Sequence, residues 1–243
     1  MRSKIVSLLA VAFSLGFAQA ASAADMPVKA RPAPVPVPVF SWAGCYVGAD
    51  AGYAWQRDTS TETIAATGAL SATQPGATNP HGLKGGGYLG CNYQFAPSWI
   101  VGIEGDAEGA DVAHSTATYA PSPDYYEART RFQGSIRGRV GYAFDRSLLY
   151  VTGGIAFASI TNHYVGLEAN GFTTDATSTR TGWTVGGGWE YAFTNNWIGR
   201  IEYRYADFGT RTDTLQFCAT CAAANEAHRT TENVVRVGIA YKF

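Results

Sequence analysis

Tyrosine, one intervening residue and phenylalanine close a stretch of alternating side chains at four places: Tyr93-Gln94-Phe95, Tyr142-Ala143-Phe144, Tyr191-Ala192-Phe193 and Tyr241-Lys242-Phe243. The phenylalanines lie 49, 49 and 50 residues apart (144 − 95, 193 − 144, 243 − 193). A repeat of that length is either a propeller blade of four short strands or a hairpin of two long strands carrying one long loop. Connection lengths decide between them. Only Ala96, Pro97 and Ser98 separate Phe95 from the run opening at Trp99, and only Thr194, Asn195 and Asn196 separate Phe193 from Trp197. Those are tight turns. Long polar stretches, at 56–82, 109–127, 160–180 and 209–229, follow each second run. Short and long connections therefore alternate, with two strands per repeat.

Successive strand side chains point to opposite faces. Val235, Val237, Ile239, Tyr241 and Phe243 share one face of the final run; Glu232, Val234, Arg236, Gly238, Ala240 and Lys242 share the other. The same split runs from Ala128 to Phe144, where Phe132, Ile136, Val140, Tyr142 and Phe144 oppose Arg129, Arg131, Gln133, Ser135, Arg137 and Arg139. Four arginines on one face do not fit a dry core, because charges avoid burial unless paired. In a soluble barrel they would point outward; in a membrane barrel they point inward. The aromatics favour the membrane: Trp99 and Trp197 open strands, Tyr-x-Phe closes them, and Trp55, Trp183 and Trp189 lie on apolar faces. Such banding suits rings seated at headgroup level.

Residues 1–24 have the pattern of a secretory signal, with Arg2 and Lys4, an apolar stretch from Ile5 to Ala18, and small residues Ala21-Ser22-Ala23-Ala24. Residues 25–41 form a proline-rich periplasmic spacer of polyproline character. Its Lys29 and Arg31 offer contact with the cell-wall polymer, peptidoglycan, as an alternative role. Residues 42–243 carry eight strands: about Trp42 to Trp55, Leu83 to Phe95, Trp99 to Glu108, Ala128 to Phe144, Leu148 to Ser159, Thr181 to Phe193, Trp197 to Phe208 and Thr230 to Phe243. About ten tilted residues cross a bilayer, so each run is long enough. The fold class is all-β: an eight-stranded antiparallel up-and-down transmembrane β-barrel with short periplasmic turns and four long extracellular loops. A formal charge of −1, with 15% charged residues, argues against nucleic acid as a partner.

The polar face carries Asp50, Lys84, Glu104, Asp106, Glu108, Arg129, Arg131, Arg137, Arg139, Glu190, Arg200, Glu202, Arg204, Glu232, Arg236 and Lys242. Counted from the periplasmic end, Glu104 and Arg139 stand at similar height, as do Asp106 and Arg137. An eight-stranded interior is just wide enough for side chains to fill, so a charge network of Glu104, Asp106, Arg137, Arg139, Arg200, Glu202, Arg204 and Arg236 is expected to plug the lumen. A narrow porin-like channel for small solutes is the alternative. Export favours disulfides. Cys45 and Cys91 stand at the periplasmic ends of neighbouring strands in the lipid-facing phase, where Cys45 could also be a small apolar residue. Cys218 and Cys221 suit a small loop bridge better than a metal knuckle, since no second ligand pair follows. His81, His114, His163 and His228 fall one to each long loop; they read as scattered polar residues, with haem or metal capture as the sharper alternative. No cofactor is expected. Gly85-Gly86-Gly87-Tyr88-Leu89-Gly90 matches a dinucleotide glycine spacing but lies within a strand. No nucleophile-elbow or zinc-protease motif appears, and no enzyme activity is expected.

Trp42-Ala43-Gly44-Cys45-Tyr46-Val47-Gly48, Val101-Gly102-Ile103-Glu104-Gly105-Asp106, Arg137-Gly138-Arg139-Val140-Gly141-Tyr142 and Val235-Arg236-Val237-Gly238-Ile239-Ala240-Tyr241-Lys242-Phe243 together resemble the small eight-stranded porin-family proteins of alphaproteobacterial outer membranes, including the group-3 proteins of brucellae and rhizobia. The resemblance implies an outer-membrane protein that supports envelope integrity and surface interaction, with outer-membrane lipids and lipopolysaccharide as partners. It also implies that Tyr241 and Phe243 form the signal read by the barrel-assembly machinery. Cys45 departs from the family's typical first strand. Oligomeric state is left open.

Overall fold

The computed structural model describes residues 40–71, 74–75, 77–113, 116–120, 125–166, 172–215 and 223–243. The signal segment, the spacer up to residue 39, His114, Cys218 and Cys221 lie outside the described residues. The strands are β1 (Gly44–Ile64), β2 (Gln74–Pro75), β3 (His81–Ala96), β4 (Trp99–Ala113), β5 (Thr116–Ala120), β6 (Tyr125–Phe144), β7 (Ser147–Gly166), β8 (Phe172–Ala192), β9 (Trp197–Leu215) and β10 (Ala224–Lys242). Eight of them form a closed antiparallel ring in the order β1-β3-β4-β6-β7-β8-β9-β10, with β10 pairing back onto β1. Short β2 and β5 pair with each other, and β5 pairs with β6 beyond the end of the β4–β6 ladder.

Ring closure fixes the shear. From Val47 the register partners run Leu89, Gly105, Ile136, Ile155, Trp183, Asp207 and Thr231, and return to β1 at Arg57. The displacement is ten residues (57 − 47), an even number, so every strand keeps its inward and outward phases around the circuit. Eight strands with that stagger tilt by about 40°. Their inner width accommodates side chains rather than a wide channel.

The outward phase is apolar. Between the two aromatic rows it carries residues such as Val47, Leu89, Ile103, Ile136, Val151, Ile201, Val237 and Ile239, all exposed, and no charged side chain among the described residues. The periplasmic row also stitches the repeats together. Trp99 is the register partner of Tyr142 and Trp197 of Tyr241, each pair packing edge to face with centroids 5.3 Å apart. A strand-opening tryptophan therefore meets the Tyr-x-Phe tyrosine of the next repeat, an arrangement that favours both rings. Between Phe144 and Ser147 the turn is only Asp145-Arg146, with Asp145 at φ 53°, a conformation that aspartate tolerates.

Three expectations change. The strands are longer than their apolar patterns: β1, β6, β7, β8, β9 and β10 run to between 19 and 21 residues, so much of the polar stretches 56–82, 160–180 and 209–229 is strand. Beyond the bilayer both faces of a strand can be polar, so alternation no longer marks it. Arg129 and Arg131 do not join the inward face; both are exposed. A register shift between Thr130 and Phe132 inserts one extra residue, which reverses the phase, and Thr130 takes the inward position. Trp42, finally, does not open the first strand. The strand starts at Gly44 (φ 124°), a conformation suited to glycine, and the preceding segment turns into the barrel mouth. There Trp42 is 1% exposed and packs with Phe40, Ile100, Leu148 and Ile198. Its indole nitrogen donates to the Asp145 carbonyl at 3.2 Å.

Candidate functional site

The inward phases of β1, β3, β4, β6, β8, β9 and β10 carry charged residues, and the shear brings them into one connected array. Glu104, on β4, is its first hub. It accepts from Tyr46 Oη at 2.7 Å, Arg137 Nη2 at 2.5 Å and Arg139 Nη1 at 3.2 Å, and from Arg200 through two nitrogens at 2.6 and 3.1 Å. Glu202, on β9, is the second, accepting from Arg137 Nη1 at 2.7 Å, Arg236 Nη2 at 2.6 Å and Tyr150 Oη at 2.7 Å. In the ring, β4 and β9 stand diametrically opposite, so the Arg200–Glu104 pair crosses the whole lumen.

The remaining charges join these two centres. Asp106 takes Arg204 at 3.1 Å and Arg137 at 3.1 Å, with Ser135 donating to the same carboxylate. Glu108 takes Arg204 at 2.8 Å, Lys84 at 2.9 Å and Arg236, and Asp50 takes Arg236 at 3.0 Å. Glu190 pairs with Arg139 at 2.9 Å, and Glu232 with Lys84 at 2.9 Å. Arg200 also lies over the Tyr88 ring at 3.6 Å and Arg139 over Tyr150 at 4.1 Å. All eight charged residues expected in the network are buried and connected in it, and Lys84, Glu108, Glu190, Glu232 and Asp50 extend it. Lys242 stands apart at the periplasmic end, where it donates to the Ser41 and Ala43 carbonyls and holds the closing segment.

Charges this dry persist only when paired and hydrogen-bonded on most sides. Seven carboxylates (Asp50, Glu104, Asp106, Glu108, Glu190, Glu202, Glu232) face six cations (Lys84, Arg137, Arg139, Arg200, Arg204, Arg236), with Lys242 below them. Space for the inward tyrosines comes partly from glycine. A Cβ on inward-facing Gly188 would stand 2.6 Å from the Tyr150 hydroxyl, and one on Gly90 2.5 Å from that of Tyr46. These close approaches let both tyrosines reach their glutamates.

The inward tyrosines Tyr46, Tyr88 and Tyr150 were not singled out by the sequence, since girdle logic draws attention to outward rings. A second omission lies at the extracellular mouth. His228 is no loop residue. It sits on β10 with its imidazole buried between Asp58 (Nδ1, 3.1 Å) and Glu226 (Nε2, 3.3 Å), and Thr230 links Asp58 to Arg180. The signal was present: Glu226, His228, Thr230 and Glu232 continue one phase of the strand. Of the other loop histidines, His81 opens β3 and His163 lies on β7. Above the bilayer, burial alone would lower the His228 pKa, but the hydrogen bonds and charges of Asp58 and Glu226 outweigh it and raise it to about 9 from 6.5. The resulting stability is complete below pH 6.5 and disappears as pH rises through about 9. A histidine NMR titration in micelles should therefore place His228 near 9, with amide exchange around it accelerating above that pH; a midpoint at 6.5 contradicts the geometry.

Cys45 and Cys91 are register partners with Cα atoms 4.0 Å apart and form a disulfide on the outer wall at the periplasmic end. Phe243 is exposed at the same end. Its backbone nitrogen donates to the Cys45 carbonyl at 3.0 Å, and its ring packs on Tyr241.

Residues 8–243 match the family described as outer membrane protein beta-barrel domain. The chain belongs to that family. It is 34% identical, over the full length of both chains, to the 25 kDa outer-membrane immunogenic protein of Brucella abortus biovar 1. Identity is 32% to the 31 kDa outer-membrane immunogenic protein of Brucella melitensis, over 98% of this chain and 99% of that one. The 22 kDa outer membrane protein of Rhizobium leguminosarum is also 32% identical, over 67% of each. Among solved structures, the outer membrane protein OprG of Pseudomonas aeruginosa superposes with a TM-score of 0.55 at 15% identity, covering 83% of this chain and 96% of that one. That likeness concerns the fold. This is an outer-membrane β-barrel of the alphaproteobacterial type.

Proposed function

We propose that this barrel serves the envelope as a sealed, rigid scaffold rather than as a solute channel. The observation that carries the reading is the span of Arg200 to Glu104 across the lumen, with Arg137 joining Glu104 to Glu202. A permeating ion would have to separate pairs that each lack a water-exposed alternative. Such separation is costly in a low-dielectric interior. The apolar segment around Trp42 adds a second closure at the periplasmic end.

In this role the wall engages outer-membrane lipids and lipopolysaccharide, and strands projecting beyond the bilayer display a polar surface to the surroundings. Tyr241 and Phe243 are the residues offered to the assembly machinery, and the spacer carrying Lys29 and Arg31 supplies any contact with peptidoglycan. No catalytic step is part of this reading. Purified protein in planar bilayers should show no steady conductance steps, while a deletion strain should become more sensitive to detergent. Reproducible unitary steps would replace the scaffold with the narrow-channel reading.

A further inference from the structure

On the outside of the wall, just above the outer aromatic row, β1, β3 and β10 enclose a recess of about 520 Å³ that the lumen does not use. Six of its side chains matter: Tyr53, Trp55, Arg57, Asn79, His81 and Asn233. Trp55 is the register partner of both His81 and Asn233, so these three stand in one row across three strands. Tyr53 continues the floor one pleat lower, and Arg57 stands one pleat higher, past the final β1–β3 pair. Beside it runs the segment at 78–80, held by Gln56 N to Pro80 O at 2.7 Å and Asp58 N to Thr78 O at 2.9 Å.

The polar groups of this recess are left with unused capacity. Arg229 and Arg211, exposed nearby, are held by Asp207 and Asp213 at 2.9 and 3.2 Å. The Arg57 side chain is exposed and has no hydrogen bond, ion pair or ring contact among the described residues. Asn233 uses its Oδ1 to accept from Tyr203 Oη at 2.7 Å, which leaves its amide hydrogens free. His81 Nδ1 lies 3.2 Å from the Asn79 carbonyl, so that nitrogen is the donor and Nε2 is presented to the recess. The floor is aromatic and continuous with the lipid-facing wall, since Tyr53 is flanked in register by Leu83 and Val235. A cation and amide donors above an aromatic floor, at headgroup level, match an amphipathic anion whose apolar part lies in the bilayer.

We propose that the recess holds the phosphorylated sugar headgroup of an outer-leaflet glycolipid. Arg57 takes the phosphate, Asn233 and His81 bond the sugar hydroxyls, and Trp55 and Tyr53 pack against the ring and the first acyl carbons. The outer leaflet is assigned because the short turns are periplasmic, and the floor opens toward lipid rather than water. The proposal rests on the envelope reading for its orientation, but not on the sealed lumen.

The test uses the full folded chain in detergent micelles, with native mass spectrometry against diphosphoryl lipid A, dephosphorylated lipid A and glucosamine 1-phosphate. Wild type should retain the diphosphoryl lipid, and Arg57→Ala should weaken that binding by about tenfold, as expected for loss of one charge-assisted contact. Asn233→Asp, which places a carboxylate in the recess, should weaken it too, while Arg131→Ala on the far side of the wall should bind as wild type does. Unchanged affinity in Arg57→Ala would overturn the site, and so would equal retention of the dephosphorylated lipid. Equally tight binding of glucosamine 1-phosphate would overturn the assignment to a lipid. Conductance in a barrel whose lipid A affinity remains Arg57-dependent would defeat the sealed-scaffold reading and leave the recess standing.

Discussion

Glu104→Ala should be the most damaging single substitution in the barrel. The change leaves Arg137, Arg139 and Arg200 facing one another with one carboxylate fewer, and Tyr46 without its acceptor. Removing one partner of a buried ion pair costs about 3–5 kcal/mol, and here three pairs share the missing group. The other contacts made by these arginines, to Glu202, Asp106 and Glu190, cannot replace the lost acceptor, because Glu202 and Asp106 are already shared with Arg236 and Arg204. The measurement is the urea or heat midpoint of the folded, fast-migrating form in unboiled gels. Glu104→Gln, which keeps an acceptor oxygen but not the charge, should fall between wild type and alanine. A Glu104→Ala barrel that melts with wild type would mean that the lumen is wet enough to screen its own charges.

The second large effect concerns the opposite face. Val237→Arg places a guanidinium on β10 among exposed Ile239, Val235 and Ile201, within the charge-free band. In lipid this should cost about 2–4 kcal/mol near the bilayer midplane, falling to about 0–1 near the interfaces. Thr179→Arg, on the outward phase of β8 above the aromatic row, is the matched control and should be nearly silent. Refolding yields into phospholipid vesicles would report both. Equal yields for the two variants would refute the assignment of the greasy face to acyl chains.

These two substitutions probe the parts of the fold most legible in the chain. Val235 to Phe243 and Phe132 to Phe144 declare their phases because one side meets lipid and the other a crowded interior, and the two environments demand opposite chemistry. Legibility fails where that contrast fades. Above the bilayer the β7 and β8 strands carry runs such as Thr161-Asn162-His163 and Thr177-Ser178-Thr179, polar in both phases, so a threonine-rich strand looks like a loop. Arg131 shows a different failure. Its alternation with Arg129 and Gln133 is perfect on paper, and the bulge that turns both arginines outward depends on the neighbouring ladders, not on its own composition. Trp42 misleads in the same way, since a tryptophan just ahead of an alternating run passes for its first residue until the backbone at Gly44 turns the segment into the barrel mouth. Height along the strands suggested Arg139 with Glu104 and Arg137 with Asp106. It did not reveal that Glu104 gathers three arginines, because Arg200 approaches from the opposite wall, and that requires the ten-residue stagger.

The seam between β1 and β10 has a consequence for biogenesis. Tyr46 faces Lys242 across it, so the ladder joins segments separated by nearly the whole barrel sequence. Until β10 arrives, β1 has one row of amides and carbonyls without partners, and such an edge is prone to stick to other chains. Its half of the ionic array is equally incomplete, because Asp50 lacks Arg236. Translocated intermediates short of the final hairpin can therefore neither shed their hydration nor shield that border until the circle shuts.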